Sequence, residues 1–196
     1  MDNREIEVKI KLSNAADIIS RAESLGAVKK PDGEGLERDV MYDDGKGFFD
    51  AHRVLRLRVG PSGNYITYKE KLKETEHAHL LRRVEIETKV SDPEQTDLLF
   101  KALGFTPHRI KEKITNKFLL DGLVLEFHKL PFIGDFMEIE GSEDQLKNFL
   151  PKLGLGIEQG INNDYTGLFY EYCDDHGLSR ELPQTFEEEK KHGQKN

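Results

Sequence analysis

Charged and apolar residues alternate without a break from Glu5 to Leu12, reading Glu-Ile-Glu-Val-Lys-Ile-Lys-Leu. That is the period of a strand with one polar and one apolar face. The pattern returns at Val54–Val59, Val84–Val90 and Met137–Glu140, and in weaker form at Tyr65–Leu72, Ile110–Phe118 and Leu123–His128. Three short helices are predicted between these strands. The first follows Ser13 and Asn14, carries Ile18, Ile19, Ala22 and Leu25, and stops at Gly26. The second opens on Asp92, Pro93 and Gln95, which supply a cap, a first-turn proline and a capping-box partner, and runs through Leu98, Leu99, Ala102 and Leu103 to Gly104. The third starts at Ser142 with Gln145 three residues on, spaces Leu146, Phe149, Leu150 and Leu153 helically, and ends at Gly154.

The chain also repeats itself. Placing Ser13 on Ser91 superposes Lys11 on Lys89, Glu7 on Glu85, and Leu25-Gly26 on Leu103-Gly104. Two related halves follow, about residues 1–82 and 83–172, each a charged-faced strand, a helix and further strands. Many strands with few helices predict an α+β fold built on an antiparallel sheet or barrel, not a doubly wound parallel sheet.

Two packings satisfy the alternation. In one, the apolar faces meet inside and the charges are solvated, which is the common explanation of any single alternating strand. In the other, the sheet closes on a polar lumen and helices cover its apolar exterior. The signs of the charges favour the second. Glutamates share faces in pairs (Glu5 with Glu7, Glu85 with Glu87, Glu138 with Glu140), and so do cations (Arg56 with Arg58, Lys69 with Lys71, Lys111 with Lys113). Like charges two apart on a strand sit about 7 Å from each other and repel, so a bound ligand explains them better than solvation does.

Composition narrows the function classes. The chain has 196 residues, 34% charged and 36% hydrophobic, with a net charge of -8 and one cysteine, Cys173. One domain over 1–172, followed by a polar and mobile tail over 173–196 with little to bury, is the expectation. A lone thiol, no apolar-cored leader and no long apolar run predict a reducing, cytoplasmic protein without a membrane span. The acidic total argues against a duplex nucleic acid partner. A homodimer is left open.

Paired carboxylates are hard oxygen ligands suited to Mg2+ or Mn2+, and paired cations suit phosphate oxygens. The glycine loops that cradle phosphates in other folds are absent, since neither G-x-x-x-x-G-K-[ST] nor G-x-G-x-x-G occurs after a strand. Charged side chains must therefore hold any phosphate chain. His128 shares a face with Glu126; a lone strand histidine is most often structural, and its functional alternative is a phosphate contact or an acid.

The run Glu5-Ile6-Glu7-Val8-Lys9 resembles the E-x-E-x-K signature of the CYTH superfamily, the triphosphate tunnel metalloenzymes, which include class IV adenylate cyclases and thiamine or inorganic triphosphatases. Similar elements follow in order: Leu55-Arg56-Leu57-Arg58, Thr67-Tyr68-Lys69, Arg83-x-Glu85-x-Glu87, Lys111-x-Lys113, and Gly134 through Glu140. The resemblance spans about residues 4–172 and implies an eight-stranded antiparallel barrel whose lumen is a charged tunnel. It implies metal ligation by Glu5, Glu7, Glu138 and Glu140, with Glu85, Glu87 and Glu126 as further acids, Glu126 standing where the family often has Asp. It implies triphosphate binding by Lys9, Arg56, Arg58, Lys69, Lys111 and Lys113, with Lys71 and Arg83 on the same faces, and closure of one mouth near Tyr165. Glu5, Glu7 and Lys9 are the catalytic candidates, Lys9 as an aid to deprotonating the nucleophile. Class IV cyclase chemistry, ATP to cyclic AMP and pyrophosphate, is the favoured expectation, although Glu70-Lys71-Leu72 replaces the Gly-Pro of cyclase-like members. The alternatives are hydrolysis of inorganic triphosphate, thiamine triphosphate or a nucleoside triphosphate, and a non-catalytic polyphosphate or nucleotide binding module.

Overall fold

The computed structural model describes residues 4–48, 53–71, 79 and 81–193. Eight strands are present: β1 (Arg4–Leu12), β2 (Val28–Asp43), β3 (Arg53–Gly60), β4 (Gly63–Lys71), β5 (Leu81–Val90), β6 (Thr106–Leu120), β7 (Leu123–Leu130) and β8 (Gly134–Glu140). Among the described residues these strands pair with one another antiparallel, in the closed order β1-β5-β4-β3-β2-β6-β7-β8, with β8 returning to β1. Closure leaves no sheet edge exposed along the ring. Leu72, expected at the end of the fourth strand, lies outside the described residues.

The predicted repeat is visible in the element order. Helix α1 (Ala15–Ser24) lies between β1 and β2, and α2 (Pro93–Ala102) between β5 and β6, so each half reads strand, helix, three strands. The Asn14 side chain accepts from the Asp17 N–H and caps α1, as Asp92 accepts from Gln95 to cap α2. Helix α3 (Glu143–Phe149) begins with a complete Ser142–Gln145 capping box. It is shorter than predicted because Pro151 has no N–H to continue an α-helix, and Leu150–Leu153 runs on as a 3-10 turn that stops at left-handed Gly154 (φ 75°).

The apolar core lies outside the barrel wall. Ile18 and Ala22 of α1 and Leu146 and Phe149 of α3 pack on Val8, Ile10, Leu125, Phe127, Met137 and Ile139, the outward residues of β1, β7 and β8. Each such side chain, fully buried, contributes about 1.5–3 kcal/mol. Helix α2 covers another sector through Phe100, which meets Tyr42 and Leu57. Its predicted apolar side is corrected: Leu98, Leu99 and Leu103 are 55%, 56% and 65% exposed, and Thr96 and Phe100 face the barrel.

Strand β2 has no counterpart among the predicted elements. Its first half contains Pro31, Asp32, Gly33 and Gly35, which read as turn signals, and the structure accommodates them with a register shift between Lys29 and Glu34 against β6. At the β6–β7 hairpin, Asp121 and Gly122 both take positive φ (48° and 81°), which suits a two-residue turn between twisted strands.

Beyond residue 173 most of the described residues are exposed, and Gln184 and Thr185 are the two that are buried. Helix α4 (Tyr165–His176) buries Tyr165, Phe169 and Cys173. Further on, the Gln184 N–H donates to the Ile110 carbonyl at 3.0 Å, and its carbonyl accepts from Glu112 N–H at 2.8 Å. This pairing occupies the part of β6 ahead of Ile114, where pairing with β7 begins. Helix α5 (Phe186–Gly193) then places Glu189 against the Phe132 N–H at 2.7 Å. No helix among the described residues is long and apolar enough to cross a membrane.

Candidate active site

Strand parity delivers the charged faces to one space. A cavity of about 490 Å³ is lined by Glu7, Arg56, Arg58, Lys69, Glu85, Glu87, Lys113, Glu126, Glu138 and Glu140. It joins a smaller one of about 90 Å³ through the shared walls Glu7, Arg56, Arg58, Lys69, Lys113 and Glu138. The smaller space adds Lys9, Arg83, Lys111 and Tyr165 and lies beneath the first turn of α4. Every candidate residue whose side chain is described therefore faces this lumen. Glu5 and Lys71 occupy strand positions opposite Arg83 in β1 and β4, and their side chains lie outside the described residues.

The lumen is organised by two acids that sequence reasoning missed. Glu37 and Asp39 of β2 are each 1% exposed. Asp39 accepts from Arg58 Nε at 2.7 Å and from a terminal guanidinium nitrogen at 2.9 Å, a bidentate pair, and lies 3.7 Å from Arg56 and 3.9 Å from Lys111. Glu37 meets Arg58 at 2.9 Å and Lys113 at 3.4 Å. Burial pushes the Asp39 carboxyl upward, but Arg58 and Arg56 outweigh it and hold the group well below the usual carboxylate range. Burial, reinforced by the Lys113, Arg56 and Arg58 charges, lowers the Lys111 ammonium to about 7 against the pull of Asp39. The one signal that could have found these acids is the Glu37-x-Asp39 spacing itself. Arg38, which points outward to Glu112 at 2.6 Å, fills the intervening position with a charge and hides the alternation.

Strands β1, β7 and β8 bring a group of carboxylates into the same lumen. In the register of β8, Glu140 lies opposite Glu7 and Glu138 opposite Glu126, so like charges are direct cross-strand neighbours twice. Burial and the Glu85, Glu7 and Glu126 charges raise the Glu140 carboxyl. Some of the acids are neutralised within the lumen: Glu7 by Arg83 at 2.7 Å, Glu85 by Lys69 at 2.6 Å, and Glu87 by Arg56 at 3.5 Å, with the Thr67 hydroxyl donating to Glu87 at 2.8 Å. Glu126, His128 and Glu138 bring one donor atom each within 4.8 Å of one another, a set that fits a divalent cation.

At the closed end, Lys9 is 1% exposed and donates to the Asn163 carbonyl at 3.1 Å, with Glu138 at 3.3 Å. Its ammonium stands 4.3 Å from the Tyr165 ring centroid. The Tyr165 hydroxyl is buried beside the Glu138 carboxylate. Burial and the Glu138 charge raise it well above its ordinary value. Tyr165, Leu130, Ile133 and Phe136 form an apolar plug beside these groups. Lys11 and Lys89, near the strand ends, are exposed.

One lumen of the antiparallel barrel thus gathers several cations and several carboxylates, groups whose chemistry suits phosphate oxygens and a divalent ion. Residues 3–153 match the model of the CYTH domain, and the chain belongs to that family. It is 27% identical over 145 residues to a Methanocaldococcus jannaschii protein named as a candidate adenylate cyclase, across 70% of this chain and 77% of that one. Among solved structures, the PH1012 protein of Pyrococcus horikoshii OT3 superposes with a TM-score of 0.70 at 29% identity, covering 82% of this chain and 96% of that one. A Hippeastrum candidate adenylyl cyclase, described as having a dominant triphosphatase activity, shares the fold with a TM-score of 0.62 at 16% identity, covering 92% and 98% of the two chains.

Removing the Asp39 charge leaves the buried Arg58 guanidinium with Glu37 and takes away the acid 3.9 Å from Lys111. Asp39→Asn is expected to lower the unfolding free energy by about 3–5 kcal/mol at pH 7. Because the folded pKa is depressed, the native contribution is present above the unfolded value of about 3.9 and is lost as pH falls through the folded one, so the gap between the two proteins should narrow in acid. Urea denaturation at pH 7 and pH 3 measures both, and an equal gap at the two pH values contradicts the role assigned to Asp39.

Proposed function

We propose that the protein is a divalent-metal-dependent enzyme that acts on a linear triphosphate held in the barrel lumen. The observation that carries this reading is the convergence, on one cavity of about 490 Å³, of Glu7, Glu126, Glu138 and Glu140 with Arg56, Arg58, Lys69 and Lys113. A triphosphate has about four negative charges near neutral pH and needs several cations in a confined site. The carboxylates would hold Mg2+ or Mn2+, and the ion would supply Lewis-acid neutralisation of phosphate oxygens.

The side chains divide the remaining work. Arg58, fixed by Glu37 and Asp39, cannot swing out, so it presents a pre-oriented charge to the phosphate chain. Arg56 and Lys69 lie beside it with their counter-ions, Glu87 and Glu85, on the neighbouring strand β5. Lys9 is held by Glu138 and Asn163 at the closed end, where the chain terminus would stop. Lys111, with its ammonium near 7, is a lumen amine able to exchange a proton under physiological conditions, a role the sequence reading assigns to Lys9.

Attack by water on the terminal phosphorus fits the lining best. Among the described residues around the larger cavity, all but Ser62, Tyr65 and Val124 are charged, which offers little apolar surface to a purine. Cyclisation of ATP is the second reading, favoured by the M. jannaschii relative at 27% identity.

Incubation with tripolyphosphate and with ATP, each with Mg2+ or Mn2+, distinguishes them. Orthophosphate from tripolyphosphate, abolished by chelator, is expected; cyclic AMP with pyrophosphate from ATP would replace hydrolysis by cyclisation, and no turnover with either metal would overturn both. Lys69→Ala should raise KM for tripolyphosphate about 10- to 100-fold, the loss of one charged hydrogen bond.

A bound polyanion should raise the Lys111 ammonium from about 7, so binding at pH 8 is expected to take up protons. Titration calorimetry in buffers of different ionisation heat measures the uptake, and Lys111→Arg should remove most of it. Equal proton uptake in the two proteins would rule out Lys111 as its source.

A further inference from the structure

His128 stands where the lumen carboxylates are most crowded. It is 2% exposed, its Nε2 lies 3.1 Å from Glu138 Oε2 and 3.3 Å from Glu126 Oε2, and Lys113 Nζ lies 3.1 Å from the same nitrogen. Its Nδ1 is buried without a hydrogen-bond partner, so nothing outside the cluster selects the tautomer.

Neither tautomer satisfies these neighbours. If Nε2 carries the proton, it can donate to the carboxylates but turns an N–H toward the Lys113 ammonium, donor against donor. If Nε2 is bare, it accepts from Lys113 and then sets its lone pair against two carboxylate oxygens at hydrogen-bond distance. A cation among the three acceptors removes that conflict. Lys113 keeps Glu37 at 3.4 Å as an alternative partner. An ion roughly 2.1 Å from each of its ligands spans donor pairs roughly 3–4 Å apart, close to the separations found here. A second observation points into the same space: Tyr165, 6% exposed, turns its hydroxyl toward Glu138, whose charge it feels most strongly of its neighbours, and its ring stands 6.0 Å from that of His128.

We infer that the metal of this lumen is bound at a mixed nitrogen and oxygen site, Glu126–His128–Glu138, and that the imidazole biases the protein toward Mn2+ and other imidazole-accepting divalent ions over Mg2+. The inference rests on the metal-dependent reading above and adds the identity of the ligand set. Imidazole suits transition ions, whereas Mg2+ prefers oxygen ligands and retains water. The all-oxygen pair Glu7 and Glu140, opposite each other in the register of β1 and β8, is the competing location.

The test uses the full chain, freed of metal by chelation and without substrate, titrated with Mn2+ and followed by electron paramagnetic resonance. Pulsed measurement should show a histidine nitrogen coupled to the bound Mn2+, and competition should show at least a tenfold preference for Mn2+ over Mg2+. His128→Gln should lose the nitrogen coupling, and His128→Asp should lose the coupling and most of the preference. Mn2+ bound without nitrogen coupling in the unsubstituted protein, coupling that survives in His128→Gln, or no Mn2+ binding would each overturn the site, and the first result does not depend on how a variant folds. Nitrogen-coupled Mn2+ in a protein that turns over neither tripolyphosphate nor ATP would sink the enzymatic reading and leave the site standing.

Discussion

Burying cations in a closed lumen is tolerable only if counter-charge is built in, and in this barrel β2 supplies it. Glu37 and Asp39 sit opposite Lys113 and Lys111 in the register with β6, and Asp39 also sits opposite Arg58 in the register with β3. Each acid thus serves two neighbouring strands at once. The charges cost several kcal/mol apiece to remove from water, and a misplaced partner would leave that cost unopposed. The ion pairs hold the basic sector in a fixed arrangement before any ligand arrives, which is what electrostatic preorganisation requires. The carboxylates of β1, β5, β7 and β8 are met mostly by single cations, Glu7 by Arg83, Glu85 by Lys69 and Glu138 by Lys9, and Glu140 is left with its carboxyl raised by burial and by the acids around it.

A lumen of this kind cannot supply the hydrophobic stabilisation of the fold, so the barrel carries its core on the outside. The apolar faces of β1, β7 and β8 are sealed by α1 and α3, those of β2 and β3 by α2. Helix α4 closes one end with Tyr165, and the chain beyond it pairs Gln184 with β6, so the C-terminal residues contribute both to the plug and to the wall. Architecture and chemistry are therefore one problem: turning charges inward is what forces the helices onto the exterior.

Much of this was legible in the sequence because the alternation was clean where one parity was charged and the other apolar. Glu5–Leu12 and Met137–Glu140 show it, and the lumen-facing positions of β1, β3, β4, β5, β6 and β8 followed. Helix starts were legible through their caps at Asn14, Asp92 and Ser142. Strand β2 was not, because Gly33 and Gly35 mark a bulge that reads as a turn and Arg38 puts a charge on the outer face. The packing side of α2 was misjudged because three exposed leucines outweighed a single Phe100 in the periodicity. His128 was placed on the correct face, but its conflict with Lys113, Glu126 and Glu138 arises from four residues on three strands, a juxtaposition that only the barrel creates.

The central claim is that this lumen receives a triphosphate among its cations and carboxylates. The most direct measurement is a crystal structure of the protein grown with tripolyphosphate and Mn2+, with anomalous data collected at the manganese edge. The account predicts continuous density for the phosphate chain inside the barrel, in contact with Arg56, Arg58 and Lys69, and an anomalous peak beside Glu138. Tripolyphosphate bound only on the outer surface, with the lumen ion pairs unchanged, would contradict it.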